Sequence, residues 1–383
     1  MGITSISKRG TPQLSSLMAK LKRLTDKRDN RGKRHELAFV LGGVVLAIIA
    51  GRSSVSSIQR FIHNRLDWLR RVLGYREAAA VSRAQLPRIL DKVDWPALNE
   101  ILEGQWGIRL ERRGQAWYAL DGKTLRGVAG HQERVLLAVS HQEGRTVAQQ
   151  PMSGPKESEI TAARTMLAAT GLDKDKITLD ALHFNPLSTG QINQAGGWFV
   201  IQLKDNQPLL AAQLSRLAAE TTPLGRLQTV EQDHGRREIR QAIFFDLRHL
   251  DLEARWAESG LATLIVIARR TTELATQKCS AEVSFYCANV VINPAETALQ
   301  EELFRAIRGH WTVEANNYIR DVTFQEDQVR TKLPTQAQVL ASFRTVAMQL
   351  FREAGLSNFK AALETFADCP DQFEIFLAQY GFL

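Results

Sequence analysis

Three acidic residues, Asp121, Asp180 and Glu314, stand where their side chains could do chemistry. Asp121 follows the apolar run Ala116-Trp117-Tyr118-Ala119-Leu120, and Asp180 follows Ile177-Thr178-Leu179. Both runs read as short buried strands, so each aspartate would close a strand. Glu314 falls in a stretch with helical periodicity. Carboxylates that converge from separate elements can hold hard cations such as magnesium, which take oxygen ligands in octahedral geometry. Two such ions can activate water and stabilise the leaving oxygen of an in-line phosphodiester displacement. Any one of the three alone reads equally as a surface carboxylate or a cap.

The elements that must position them follow from the periods. Residues 135–139 and 146–150 read as two further strands joined by a turn at Glu143-Gly144. Residues 157–170 read as a helix ended by Gly171. A helix over 188–194 and a strand over 198–203 come after Asp180. Three strands, helix, strand, helix, strand is the order of the RNase H-like fold, a mixed α/β sheet flanked by helices. Strand ends on one rim can bring two carboxylates together. Residues 205–293 read as a β-rich insertion, with strand-like runs at 227–230, 239–245, 261–268 and 283–288. A long helix over 294–320 would carry Glu314, and another would cover 336–352.

The chain before Asp121 is of a different kind. Residues 1–36 form a polar arm with Lys20, Lys22, Arg23, Lys27, Arg28, Arg31, Lys33 and Arg34, either solvated or contacting phosphates. Residues 37–112 read as helical, with N-cap candidates at Ser53 to Ser57 and at Ser82. This unit fits a small DNA-binding domain or a structural cap. The apolar run 37–50 is shorter than the roughly 20 residues of a membrane span and reads as a buried helix. The domain expectation is therefore an arm at 1–36, a helical domain at 37–112, a catalytic domain in two parts (113–204 and 294–352) around the insertion at 205–293, and a helical tail at 353–383.

Composition narrows the class. With 383 residues, 44% of them hydrophobic, the chain can bury a sizeable core. Its 49 Lys plus Arg against 41 Asp plus Glu give a net charge of +8, which favours an anionic partner such as nucleic acid. Cys279, Cys287 and Cys369 form no CxxC pair, which argues against a zinc site or disulfide framework and fits a reducing cytoplasm.

Five passages, in order, resemble one family. They are Leu120-Asp121-Gly122-Lys123-Thr124-Leu125-Arg126-Gly127; Thr178-Leu179-Asp180-Ala181-Leu182-His183; Leu203-Lys204-Asp205-Asn206-Gln207; His234-Gly235-Arg236-Arg237-Glu238-Ile239-Arg240; and Arg308-Gly309-His310-Trp311 through Glu314 to Asp321-Val322-Thr323-Phe324-Gln325-Glu326-Asp327. The chain resembles the bacterial insertion-sequence transposases with a DDE catalytic triad, in the group that includes the H-repeat-associated proteins. Residues 155–160 are similar to a helix start of that family. One departure concerns Asp321, which comes one residue early; on a helix, losing one residue rotates the later side chains by about 100°.

The resemblance implies that Asp121, Asp180 and Glu314 hold two magnesium or manganese ions. It implies recognition of terminal inverted repeats in double-stranded DNA, strand cleavage, and attack of the freed 3′-hydroxyl on target DNA. A homodimer on DNA, a bacterial cytoplasmic setting and no membrane are expected. Lys123, Lys204, Asn206, His234, Arg236, Arg240, His310 and Lys332 are the candidate DNA contacts, and a solvated turn or hairpin is the plain reading of most of them. His310, Glu314 and Asp321 fall close to one helix face. Trp198 and Trp311 read as core. Two alternatives stay open: a DNA-binding relic that does not cut, and a structure-selective nuclease on the same fold.

Overall fold

The computed structural model describes residues 14–76, 78–106, 116–130, 133–153 and 157–379. The first third of the arm and part of the segment 155–160 lie outside them.

Nine strands form one mixed sheet in the order β3-β2-β1-β4-β5-β9-β8-β7-β6. Strands β1 (Trp117–Leu125), β2 (Glu133–Ser140) and β3 (Thr146–Ser153) are antiparallel neighbours, while β4 (Lys176–Leu179) and β5 (Trp198–Leu203) run parallel to β1. Helix α7 (Glu157–Thr170) links β3 to β4 and ends at Gly171, whose φ of 70° suits glycine. Helix α8 (Pro186–Gln194) links β4 to β5. The expected strands and helices of this half are all present.

The strands expected between 205 and 293 are also present, as β6 (Gly225–Asp233), β7 (Arg236–Asp246), β8 (Thr263–Glu273) and β9 (Cys279–Ala288). They continue the sheet: β9 pairs antiparallel with β5, with Ile201 opposite Cys287. The stretch also holds a helix that the β-rich reading did not expect, α9 (Pro208–Glu220), which buries Leu210 and Leu214. The outer halves of β6 to β9 extend past the core as an exposed ribbon.

The two faces of the sheet are covered differently. Tyr118, Leu120, Ile177 and Leu179 point to a core shared with α7, α8 and α9. Trp117 and Val200 point the other way, toward α10 (Thr297–Gly309). Ala119, Leu137 and Val139 meet Val313 of α11 (Trp311–Tyr318) on that same side. Period-2 alternation therefore aims Asp121, two residues after Ala119, at the α11 side.

The long helix expected over 294–320 is not continuous. It bends at His310 between α10 and α11, and α11 passes into a π-helical turn at Ile319–Thr323. Gly309 marks the bend. A β-carbon there would lie 2.1 Å from Nδ1 of His141, so only glycine lets the helix approach this ring.

The helical part is α1 (Leu14–Leu21), α2 (Leu37–Ile49), α3 (Val55–Asn64), α4 (Leu66–Leu73), α5 (Gln85–Asp91) and α6 (Trp95–Trp106). Ser54 caps α3 through a capping box with Ser57. Every residue of the apolar α2 is buried, and no helix among the described residues is long and apolar enough to cross a membrane. The C-terminal helices α12 (Pro334–Glu353), α13 (Phe359–Asp368) and α14 (Pro370–Gln379) share one hydrophobic core with these N-terminal helices. Phe343, Phe351 and Phe376 thus pack in the same core as Phe39 and Leu46.

Candidate active site

Asp121 and Asp180 come from adjacent parallel strands. Leu120 sits opposite Leu179, so the next residue on each strand is one of the two aspartates. Asp121 is not at a strand end as expected, because β1 continues through it to Leu125. Asp180 leaves β4 at once; its Oδ1 accepts from the backbone N–H of Leu182 at 3.1 Å and caps a short turn. Glu314 reaches the same rim from α11 and lines a cavity of about 260 Å³ together with Asp180.

The electrostatics tie the three together. Burial and then the negative charge of Asp180, with smaller repulsion from Glu159 and Glu314, push the Asp121 carboxyl up to about 6. The N–H of Gly122, donating to Oδ1 at 2.9 Å, opposes this. Burial also raises the Glu314 carboxyl, and the Lys204 ammonium opposes it. The donors are all carboxylate oxygens, which suit a hard divalent cation. In this conformation no three acidic, histidine or cysteine side chains among the described residues converge on a single ion position.

Asn317, which the sequence did not single out, belongs to the site. Its amide donates to Asp121 Oδ2 at 3.2 Å. It lies three residues after Glu314, so helical spacing was the available signal. Asn316 is instead buried, donating to Thr146 and accepting from Arg352.

His310 faces inward. Its Nδ1 lies 3.1 Å from the Thr178 hydroxyl, and Nε2 of His141 lies 2.8 Å from the same oxygen. Burial pushes His310 down to about 4 and His141 down to about 3, so both rings are neutral near pH 7. The shared hydroxyl joins α11 to β4 just before Asp180.

The remaining candidates fall in five places. Lys204 and Arg240 line the carboxylate cavity. Arg240 also pairs with Glu238 on its own strand. Asn206 is committed to the backbone, donating to the carbonyl of Ala181 at 2.6 Å, and so braces the turn that follows Asp180. His234 and Arg236 sit at the exposed tip of the β6–β7 ribbon, where His234 has a φ of 47° and lies 3.3 Å from Asp233. Lys332 lines a separate cleft. Lys123 is buried: its ammonium is 2.5 Å from Asp321 and 3.6 Å from Asp327, and Glu326 lies behind at 4.0 Å. Glu326 is itself clamped by the buried Arg320 and Arg344. The π-helical turn that carries Asp321 delivers it to Lys123. Trp311, expected in the core, is instead 60% exposed on the cavity rim.

Comparison with known proteins points to one family. Residues 18–106 match the family described as DDE_Tnp_1-associated. An uncharacterized protein from the dhlA 3′ region of Xanthobacter autotrophicus is 31% identical over 255 residues, covering 64% of this chain and 84% of the relative. The provisionally named transposase YncI of Escherichia coli O157:H7 is 26% identical over 357 residues, 89% of this chain and 88% of its own. The H repeat-associated protein YhhI of Escherichia coli K12, also provisionally named a transposase, is 25% identical over 365 residues, covering 92% and 93%. The chain belongs to the H-repeat group of DDE transposases. In this transposase the matched N-terminal segment is the helical unit that packs against α12, and it ends before β1, the strand that carries Asp121.

Proposed function

We propose that this transposase binds the terminal inverted repeats of its mobile element, cuts a DNA strand there and joins the freed 3′-hydroxyl to target DNA. The observation that carries the reading is the placing of Asp121, Asp180 and Glu314 on one rim, where burial and then the charge of Asp180 raise the Asp121 carboxyl. The sheet order β3-β2-β1-β4-β5, antiparallel and then parallel, supports an RNase H-like core beneath them.

The three carboxylates would hold two magnesium or manganese ions, whose chemistry is Lewis acidity toward phosphate oxygens and a lowered water pKa. The chain's own residues then position and neutralise. Asn317 and the Gly122 N–H fix the two oxygens of Asp121, and the Leu182 N–H fixes Asp180. Lys204 and Arg240, on the cavity wall, offset phosphate charge. In hydrolysis water loses a proton and forms the new P–O bond as the bridging P–O bond breaks, leaving a 3′-hydroxyl. In joining, that hydroxyl takes the place of water and a target 3′-oxygen leaves.

Cleavage of end-labelled duplex carrying the element's inverted repeat, with magnesium, tests the reading. Nicking at the repeat boundary by wild type and loss of it in Asp180→Ala supports it. A wild type that binds the repeat and never nicks in magnesium or manganese points to the DNA-binding relic instead.

A further inference from the structure

A second basic feature lies away from the carboxylates. A cleft of about 920 Å³ opens between the N-terminal helices and the strip that leads into α12. Arg83 and Arg88 stand on one wall, Arg330 and Lys332 on the other. All four are exposed, and none makes an ion pair among the described residues. Lys27 and Lys92 are partnered, by Asp94 at 2.7 Å and Asp91 at 3.6 Å. Asp29 and Asp91 are the acids of the lining, so positive charge prevails.

Two further observations give the cleft direction and place. Helix α12 begins on its wall at Leu333 and has no side-chain cap there. The first turn of a 20-residue helix without a cap favours an anion. The strip is also pinned to the chain leaving β1. The N–H of Thr331 donates to the carbonyl of Gly127, and the N–H of Ala129 donates to the carbonyl of Thr331, each at 3.0 Å. A β-carbon on Gly127 would lie 1.6 Å from the carbonyl oxygen of Val329, so only glycine permits this seam. Val128, which bridges to Thr331, is seven residues past Asp121 in sequence. Seven residues span at most about 25 Å, or roughly seven base pairs of duplex at ~3.4 Å each.

We propose that this cleft grips the phosphate backbone of duplex DNA within about seven base pairs of the strand engaged at the carboxylates. The proposal rests on the reading of the chain as a DNA-cutting transposase. It makes the helical unit and the sheet one continuous DNA surface, with the Arg330 and Lys332 strip as the join. Backbone contacts of this kind position DNA and carry no sequence information.

The test uses the full-length protein and a fluorescein-labelled duplex of about 40 base pairs without an inverted repeat, long enough to reach both the cleft and the carboxylates. Affinity is measured against potassium chloride for wild type, for Arg83→Gln/Arg88→Gln/Arg330→Gln/Lys332→Gln, and for Lys360→Gln. The fourfold variant should lose affinity roughly tenfold or more at physiological salt, and its salt slope should shrink by about three to four. Lys360→Gln, which removes an exposed charge outside the cleft, should keep the wild-type slope. A charge-keeping variant, Arg83→Lys/Arg88→Lys/Arg330→Lys, should restore the slope and so excludes misfolding as the cause. An unchanged slope in the fourfold variant overturns the cleft, as does loss of affinity for a duplex RNA of the same sequence alone. If wild type cuts DNA while that slope stays unchanged, only the cleft proposal fails; if wild type shows no salt-dependent binding, both fail.

Discussion

The side-chain amide of Asn317 meets Asp121 Oδ2 at 3.2 Å, tying helix α11 to the middle of strand β1. This contact fixes the distance between the element that carries Glu314 and the one that carries Asp121. It also leaves the other carboxylate oxygen to the N–H of Gly122.

Removing that tie should impair cleavage more than DNA binding. For Asn317→Ala, the single-turnover cleavage rate at saturating DNA is expected to fall roughly 10- to 100-fold, the usual cost of losing an outer partner of a metal-holding carboxylate. The duplex dissociation constant should barely move. A variant that cuts at the wild-type rate would show that Asp121 needs no such support.

The raised Asp121 carboxyl has a consequence for stability. Its folded value of about 6 lies above the usual 3.8, so its contribution to stability is present below pH 4 and is lost as pH rises through 6. Metal-free protein should therefore gain stability at neutral pH on Asp121→Asn, by about 2–3 kcal/mol. Thermal melts with chelator between pH 4 and 8 check this. The two melting curves should converge at the acid end, and a constant offset would rule the linkage out.

Gly309→Ala places a β-carbon against the His141 ring, which is buried beneath α11. The ring and helix must move apart, at about 1–3 kcal/mol. Denaturant unfolding should show that loss, and cleavage should drop as Glu314 shifts away from β1 and β4. Gly74, where a β-carbon meets nothing within 4 Å but φ is 74°, provides a control strained only in its backbone.

Lys123 is the lone ammonium between Asp321 and Asp327, with the buried Glu326 behind them. Lys123→Met keeps the length and removes the charge. Asp321 would lose its ammonium while Glu326 keeps Arg320 and Arg344 and Asp327 keeps Arg126, which should cost about 1–3 kcal/mol. Urea titration measures it. A loss below about 1 kcal/mol, with cleavage abolished, would instead place Lys123 on the DNA.

Much of this was legible in the sequence where burial imposes a period. The boundaries of α7 and β5 follow directly from apolar spacing and from Gly171. Asp121, Asp180 and Glu314 were singled out by the wording around each acid, and the structure brings Asp121 and Asp180 to adjacent strands. What escaped depends on partners distant in the chain. Asp121 was expected to close its strand, yet Asp121-Gly122-Lys123 is held in β1 by pairing with Leu137, Leu136 and Val135. The close approach that requires Gly309 is to His141, well over a hundred residues earlier. Helix α9 was missed although Leu210 and Leu214 stand four residues apart, a helical spacing. That the ends of the chain form one helical core could not be seen, since helical periodicity marks the buried face but not what covers it.

The most direct test of the central claim is magnesium-dependent strand cleavage of labelled element-end DNA by wild type, Asp121→Ala, Asp180→Ala and Glu314→Ala, with binding measured in parallel. The account predicts that wild type nicks at the repeat boundary and that all three variants bind the end without cutting. Cutting by any of the three at the wild-type rate would contradict the assignment of that residue, and binding without cutting by wild type would contradict the enzyme itself.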